Sequence, residues 1–166
     1  MSLQALLDTM TALNEVHTAL LELAEQKKQV LIHNKVDELT QIVNKENKLL
    51  KRVGELDAER VERTGQFLIE KGYKPNPRVT ISDLAKILFV PEEKRTLMDA
   101  QKQLLGTVRR LREINTGNQQ LLEQALAFVD YSLDLFVGPP EDEVIYQKPH
   151  QHSSGAKRPG LFDARA

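Results

Sequence analysis

Residues 72–91 read GYKPNPRVTISDLAKILFVP, and they interrupt a chain that otherwise shows helical periodicity. Gly72 can end a helix, and the prolines at 75 and 77 cannot continue one, because proline lacks the backbone N–H that a helix interior needs. Pro91 can open another helix, since the first turn does not use that N–H. The stretch therefore separates a helical region before it from one long helix after it.

A short helix is predicted inside this interruption. Thr80 is a favourable N-cap, and Asp83 stands three residues later, where its side chain can bond back to the backbone N–H of the cap. Residues 80–89 are therefore predicted to form a helix that bridges the two regions.

Two long helices are predicted before the interruption. Residues 2–33 carry leucine, valine and methionine at the three- and four-residue spacing of one helical face. Asn34 is predicted to cap the second helix, with Asp37 in the capping-box position. The second helix then continues through the same kind of pattern to Leu68.

The third long helix is predicted to run from Pro91 to about Val137, where Gly-Pro-Pro ends it. Residues 138–166 are rich in proline, glycine, serine and charge, which favours a disordered, flexible tail. No β-strand pattern is found. The predicted fold is all-α: an antiparallel bundle of three long helices plus one short helix in residues 1–137, followed by the tail.

The last helix is predicted to be too long for its neighbours. At 1.5 Å per residue the three long helices would measure roughly 45, 55 and 70 Å, so the last would extend beyond the others by roughly 10–15 residues. Its apolar arc is about 60–80° wide between Leu97 and Ile114, and it widens to about 180° beyond residue 120. We call this wide part the terminal apolar face; it comprises Leu121, Leu122, Ala125, Leu126, Phe128, Val129, Leu133, Leu135 and Phe136.

A large apolar surface without intramolecular neighbours usually binds a partner. The terminal apolar face is therefore a candidate binding surface for an amphipathic helix of another protein. Two alternatives remain. The helix could kink at Gly117 and fold back to close a four-helix core, or the chain could be a structural homo-oligomer, such as a homodimer, that uses the same face for self-association.

Composition excludes several classes of function. With 23 basic and 24 acidic residues, the chain has no basic field for nucleic acid. There is no cysteine for disulfides or thiol chemistry, and no apolar span for membrane insertion. The N-terminus has no signal-peptide pattern, so a cytoplasmic protein is expected.

No catalytic or metal-binding motif is found. The four histidines form no Glu-x-x-His or H-E-x-x-H pattern, and no P-loop, G-x-S-x-G or dinucleotide fingerprint is present. Neither an enzyme nor a cofactor or metal is therefore expected. His17 could be a phosphotransfer residue, but a packed histidine is the favoured interpretation because EVHTAL lacks a flanking motif.

Polar residues interrupt the predicted apolar seams at Glu46, Asp57, Arg60, Arg63, Gln101, Asn115 and Asn118. They could form a buried functional network, although a partly hydrated layer that fixes helix register is favoured. In the tail, Leu161 and Phe162 form an apolar pair, which makes them a candidate linear motif that folds on a partner.

Three segments resemble the FlgN family of flagellar type III export chaperones. The first is HNKVDELTQIVNKENKLLKRVGELDAER at residues 33–60, and the second is LREINTGNQQLLEQALAFVDYSL at 111–133. The terminal LFDARA is similar to the ends of several family members from Gram-positive bacteria. The resemblance covers essentially the whole chain.

The resemblance implies a small, cytoplasmic, non-enzymatic helical protein. Such chaperones bind the hook–filament junction proteins, hook-associated proteins one and three, through their C-terminal part. They keep these clients from assembling early and deliver them to the membrane export gate. By position, Tyr131 is a candidate for the tyrosine that similar chaperones use to contact the export gate.

Overall fold

Four helices make up the part of the chain that the structure, a computed structural model, describes, residues 2–138. They are α1 (Ser2–Ile32), α2 (Val36–Glu70), α3 (Ile81–Ile87) and α4 (Pro91–Val137). No described residue lies in a β-strand. The predicted all-α fold of three long helices and one short helix is confirmed.

The chain divides into two units, the first ending at residue 124 and the second beginning at residue 125. The first unit contains α1, α2, α3 and most of α4. The described part of the second unit is the last stretch of α4, followed by Gly138.

Polar contacts establish that α1 and α2 are antiparallel. The Ser2 hydroxyl, at the start of α1, donates a hydrogen bond to the carboxylate of Glu70, at the end of α2. Towards the other end of α1, the Lys27 ammonium lies 3.1 Å from the carboxylate of Glu46. Residue numbers therefore rise along one helix as they fall along the other.

Within the first unit, α4 runs parallel to α1. The Thr107 hydroxyl donates to the side-chain oxygen of Asn14 at 2.8 Å, across 93 residues. The Asn118 amide donates to the backbone carbonyl of Ala24 at 2.8 Å, across 94 residues. Because the two separations are nearly equal, the helices keep one register between these contacts, and the predicted up-down-up order is confirmed for residues 2–124.

The main cluster of buried side chains draws on all four helices and lies where α1 begins and α2 ends. It comprises Leu6, Met10, Phe67, Leu68, Ile81, Leu84, Ala85, Leu88 and Leu97. Phe67 is 1% exposed, and both Leu84 and Leu97 are fully buried. The short helix α3 therefore contributes to the core and is more than a connection.

The predicted N-cap role of Asn34 is wrong. Asn34 adopts a left-handed backbone conformation with φ of 54°, and the N-cap of α2 is Lys35, which makes no side-chain capping bond. The Lys35 N–H donates to the Val30 carbonyl at 3.1 Å, and the Asn34 N–H donates to the Leu31 carbonyl at 3.4 Å. These two bonds form a Schellman motif, so Asn34 ends α1 because asparagine tolerates this conformation.

The breaks on either side of α3 follow the prediction more closely. Gly72 has φ of 80° and ends α2, and α4 begins at Pro91 as predicted. α3 ends at Ile87, two residues earlier than predicted, because the backbone of Leu88 is extended. A residue that directly precedes proline is disfavoured in helical conformation, so Val90 cannot readily extend α3 into α4.

The capping box at Thr80 is confirmed. The Thr80 hydroxyl donates to the Asp83 carboxylate at 2.6 Å, and the Thr80 N–H donates to the same carboxylate at 3.2 Å. The Asp83 N–H donates back to the Thr80 hydroxyl oxygen at 3.2 Å. Hydrogen bonds to its carboxylate lower the pKa of Asp83 from 3.8 to about 2. The bond from the Thr80 hydroxyl is the largest cause, and the bond from the Lys86 ammonium is the second.

We expect Thr80→Ala to raise the pKa of Asp83 towards 3.8, because it removes the largest cause of the shift. A carboxyl group whose pKa is lowered by folding stabilises the folded state at pH values above its ordinary pKa. That stabilisation is lost as the pH falls from 3.8 to about 2. Titration of the Asp83 side-chain carboxyl carbon by NMR measures the shift. Lys86→Ala is the matched control and should move the pKa less; a larger effect from Lys86→Ala would contradict this order of causes.

Candidate functional site

The candidate site is the C-terminal stretch of α4. In the first unit, Leu121 is half-buried and Leu122 is exposed. In the second unit, Ala125 is half-buried and six larger side chains are exposed. Their exposed fractions are 56% for Leu126, 68% for Phe128, 50% for Val129, 53% for Leu133, 65% for Leu135 and 88% for Phe136.

The exposed side chains of the second unit form a regular pattern. Four of them follow one another at alternating three- and four-residue spacing, and we call these four the apolar seam: Leu126, Val129, Leu133 and Phe136. This is the spacing of a and d positions in a coiled coil, where each side chain packs between residues of a facing helix. Phe128 and Leu135 lie beside the seam, two helical turns or about 10 Å apart.

The charges along this stretch have one sign. Between Arg112 and Gly138 the sequence contains no lysine or arginine, and the acidic residues after Gln124 are Asp130 and Asp134. Both aspartates are exposed. Asp130 lies one helical turn from Leu126 and from Leu133 on the helix surface, and Asp134 lies one turn beyond Asp130. The edge of the apolar seam is therefore acidic.

Tyr131 is 61% exposed and lies one helical turn before Leu135. Residues four apart are neighbours on a helix surface, so Tyr131 stands at the margin of the terminal apolar face. The other predicted motif, Leu161 and Phe162, lies outside the described residues.

A cavity of about 240 Å³ lies in the first unit among α1, α2 and α4. The ion pair of Lys27 with Glu46 lines it, and both side chains are mostly buried. Asn118, 4% exposed, also lines it, and its side-chain oxygen has no hydrogen-bond partner among the described residues. The sequence pattern identifies Glu46 and Asn118 as interruptions of the apolar seams. It predicts neither the pairing of Lys27 with Glu46 nor the cavity.

The polar residues that interrupt the seams do not join in one network, although Arg63 bonds both Glu59 and Gln66. Arg60 pairs with Asp57 at 2.9 Å, whereas Gln101 exchanges hydrogen bonds with Ser82 in α3. Asn118 bonds the backbone of α1 and so holds α4 in register. The Arg60–Asp57 pair lies within α2, whereas the bonds of Gln101 and Asn118 join different helices and support the interpretation of a register-fixing layer.

His17 is half-buried, and its Nδ1 lies 2.7 Å from the backbone carbonyl of Leu13. Because a carbonyl only accepts hydrogen bonds, Nδ1 carries the proton in this contact. This arrangement agrees with a packed histidine. Among residues 2–138, histidine, aspartate and glutamate form no group of three that could hold a metal ion. In the same range, no helix is long and apolar enough to cross a membrane.

Comparison with known proteins agrees with the resemblance of the three segments. The chain is 30% identical over 167 residues to the uncharacterized protein YvyG of Bacillus subtilis (strain 168), and the alignment covers all of both chains. No solved structure matches. The family model described as FlgN protein matches residues 1–154, which include every described helix. The chain therefore belongs to the FlgN family, whose members are non-enzymatic chaperones of flagellar export.

Proposed function

We propose that this chain binds hook-associated junction proteins in the cytoplasm through the terminal apolar face, keeps them from assembling early and delivers them to the export gate. Membership of the FlgN family supports the class of partner, since binding of hook-associated proteins goes with the family. The terminal apolar face supports the location of the site.

The observation that carries the proposal is the exposure of large apolar side chains near the end of α4. Phe128, Leu135 and Phe136 are each more than 60% exposed. Burying one such side chain stabilises a complex by about 1.5–3 kcal/mol. A few of them are enough to drive association once the entropic cost of binding is met.

The spacing of these side chains favours a helical client. An amphipathic helix can lay its apolar side chains between those of the apolar seam, as in other complexes in which a helix occupies a groove. The row of Phe128 and Leu135 widens the face, so a client helix would contact both rows. This arrangement would cover the helical segment of the client that takes part in assembly.

Contact with the export gate is assigned to Tyr131. Its position at the margin of the terminal apolar face, next to Leu135, leaves the hydroxyl accessible while a client occupies the apolar seam. A tyrosine suits such a position because it combines a large apolar ring with a polar hydroxyl.

The alternative is a homo-oligomer that pairs through the same face. The coiled-coil spacing of the apolar seam favours it, because two copies could pack seam to seam. The acidic edge opposes such pairing. In an antiparallel pair the aspartates of one copy, Asp130 and Asp134, would approach the same aspartates of the other copy, and like charges repel. Client binding is therefore the better supported function.

We expect deletion of residues 121–166 to abolish binding of hook-associated protein one or three, measured by calorimetry with the purified proteins. Deletion of residues 139–166 is the matched control and should retain binding, because it leaves the terminal apolar face intact. Circular dichroism should show that both truncated chains remain helical. Unchanged binding after the longer deletion would refute the site.

Sedimentation of the full chain separates the two functions. The proposed chaperone should form a complex with its client that displaces any weak self-association. A tight dimer at micromolar concentration that persists when client is added would favour the homo-oligomer instead.

A further inference from the structure

The exposed end of α4 combines apolar and acidic groups. Leu126, Val129 and Leu133 of the apolar seam are each at least half exposed, and so is Phe136. Asp130 lies one helical turn from Leu126 and Leu133, and Asp134 lies one turn beyond Asp130. No basic residue lies between Arg112 and Gly138. An occupant that carries apolar side chains flanked by positive charge would match this surface in both respects.

The end of the same chain has that composition. Residues 157–166 read KRPGLFDARA, which we call the basic tail end. It contains Lys157, Arg158 and Arg165 against one acid, and its large apolar residues are Leu161 and Phe162. By contrast, residues 141–143 are all acidic, so like-charge repulsion would keep the start of the tail away from the aspartates of α4.

The length of the tail allows the contact. Leu161 follows Gly138 by 23 residues, and a flexible chain of that length has a root-mean-square span of roughly 25–30 Å. Val129 precedes Gly138 by nine helical residues, which corresponds to about 14 Å. The span of the tail is thus only about twice the distance from Gly138 to Val129. A tether of this length gives the tail end an effective concentration at the apolar seam on the order of millimolar.

We propose that the basic tail end docks on the apolar seam of its own molecule, with Leu161 and Phe162 against the seam and the basic residues near Asp130 and Asp134. A second copy of α4 is a poorer occupant, because its charges at this edge are also negative. Where the proposed function holds, the docked tail competes with the client for the same surface. The chaperone would then bind only a client whose helix displaces the tail.

Spin labelling of the full chain tests the docking without any client. The chain contains no cysteine, so Ala166→Cys provides a single site for a nitroxide. The label should broaden the NMR amide signals of residues 126–137 relative to the reduced label, at low salt. The triple variant Lys157→Glu, Arg158→Glu and Arg165→Glu should abolish this broadening, and added Asp130→Lys and Asp134→Lys should restore it.

Lys148→Glu is the matched control, because it reverses a basic residue of the tail outside the basic tail end, and it should leave the broadening unchanged. Absence of broadening in the labelled chain, or broadening that survives the triple reversal, would overturn the docking. A mixture of spin-labelled molecules with separate isotope-labelled molecules tests for docking between copies. Broadening that appears only in this mixture would also overturn docking within one molecule.

Competition is measured separately. The triple reversal should raise the affinity for a client about tenfold if the tail occupies the client site. An unchanged affinity would overturn the competition. A full chain that shows the broadening but binds no hook-associated protein would instead refute the proposed function and leave the docking intact.

Discussion

Phe128→Asp combined with Leu135→Asp is expected to weaken client binding by at least about 100-fold, which corresponds to about 2.7 kcal/mol. Both side chains are about two-thirds exposed in the free chain. In the proposed complex they are anchors, and anchors of this kind contribute 2 kcal/mol or more each. Aspartate at either position would also have to bury a charge without a partner.

The matched control replaces an exposed phenylalanine and an exposed leucine elsewhere in the chain. Phe89 is 92% exposed and Leu105 is 44% exposed, and neither belongs to the terminal apolar face. Phe89→Asp with Leu105→Asp should bind client like the unaltered chain, as measured by calorimetry. An equal loss in both double variants would show that the effect does not come from the terminal apolar face.

Local sequence rules predicted most helix boundaries because each depends on a few neighbouring residues. The capping box at Thr80 and the breaks at Gly72 and Pro91 are examples. Asn34 was mispredicted because asparagine suits two different positions, the N-cap of one helix and the left-handed end of another. Only the backbone conformation, with φ of 54°, decides between them.

Contacts between helices are harder to predict from one sequence. The pair of Lys27 with Glu46 and the bond from Asn118 to Ala24 depend on the register between helices, which periodicity does not fix. The terminal apolar face was predictable because its width is a property of one helix. Its exposure agrees with the prediction, whereas its occupant remains a proposal.

The second large effect concerns stability. We expect Leu97→Ala to lower the free energy of unfolding by about 3 kcal/mol, within the usual range for a buried leucine in a well-packed site. Leu97 is fully buried and lies in the main cluster with side chains from α1, α2 and α3. Removing its side chain loses apolar burial and leaves a cavity that neighbours from several helices cannot fill together.

Urea unfolding followed by circular dichroism measures this change, with Leu105→Ala as the control on the same helix. Leu105 is 44% exposed, so its truncation should cost less than about 1 kcal/mol. Similar losses at both positions would contradict the assignment of the core. Leu97 belongs to the first unit and the apolar seam to the second, so Leu97→Ala should leave client affinity unchanged while the protein is folded. The aspartate variants should show the reverse, lost affinity with unchanged stability, because a binding surface and a folding core are carried by different residues of α4.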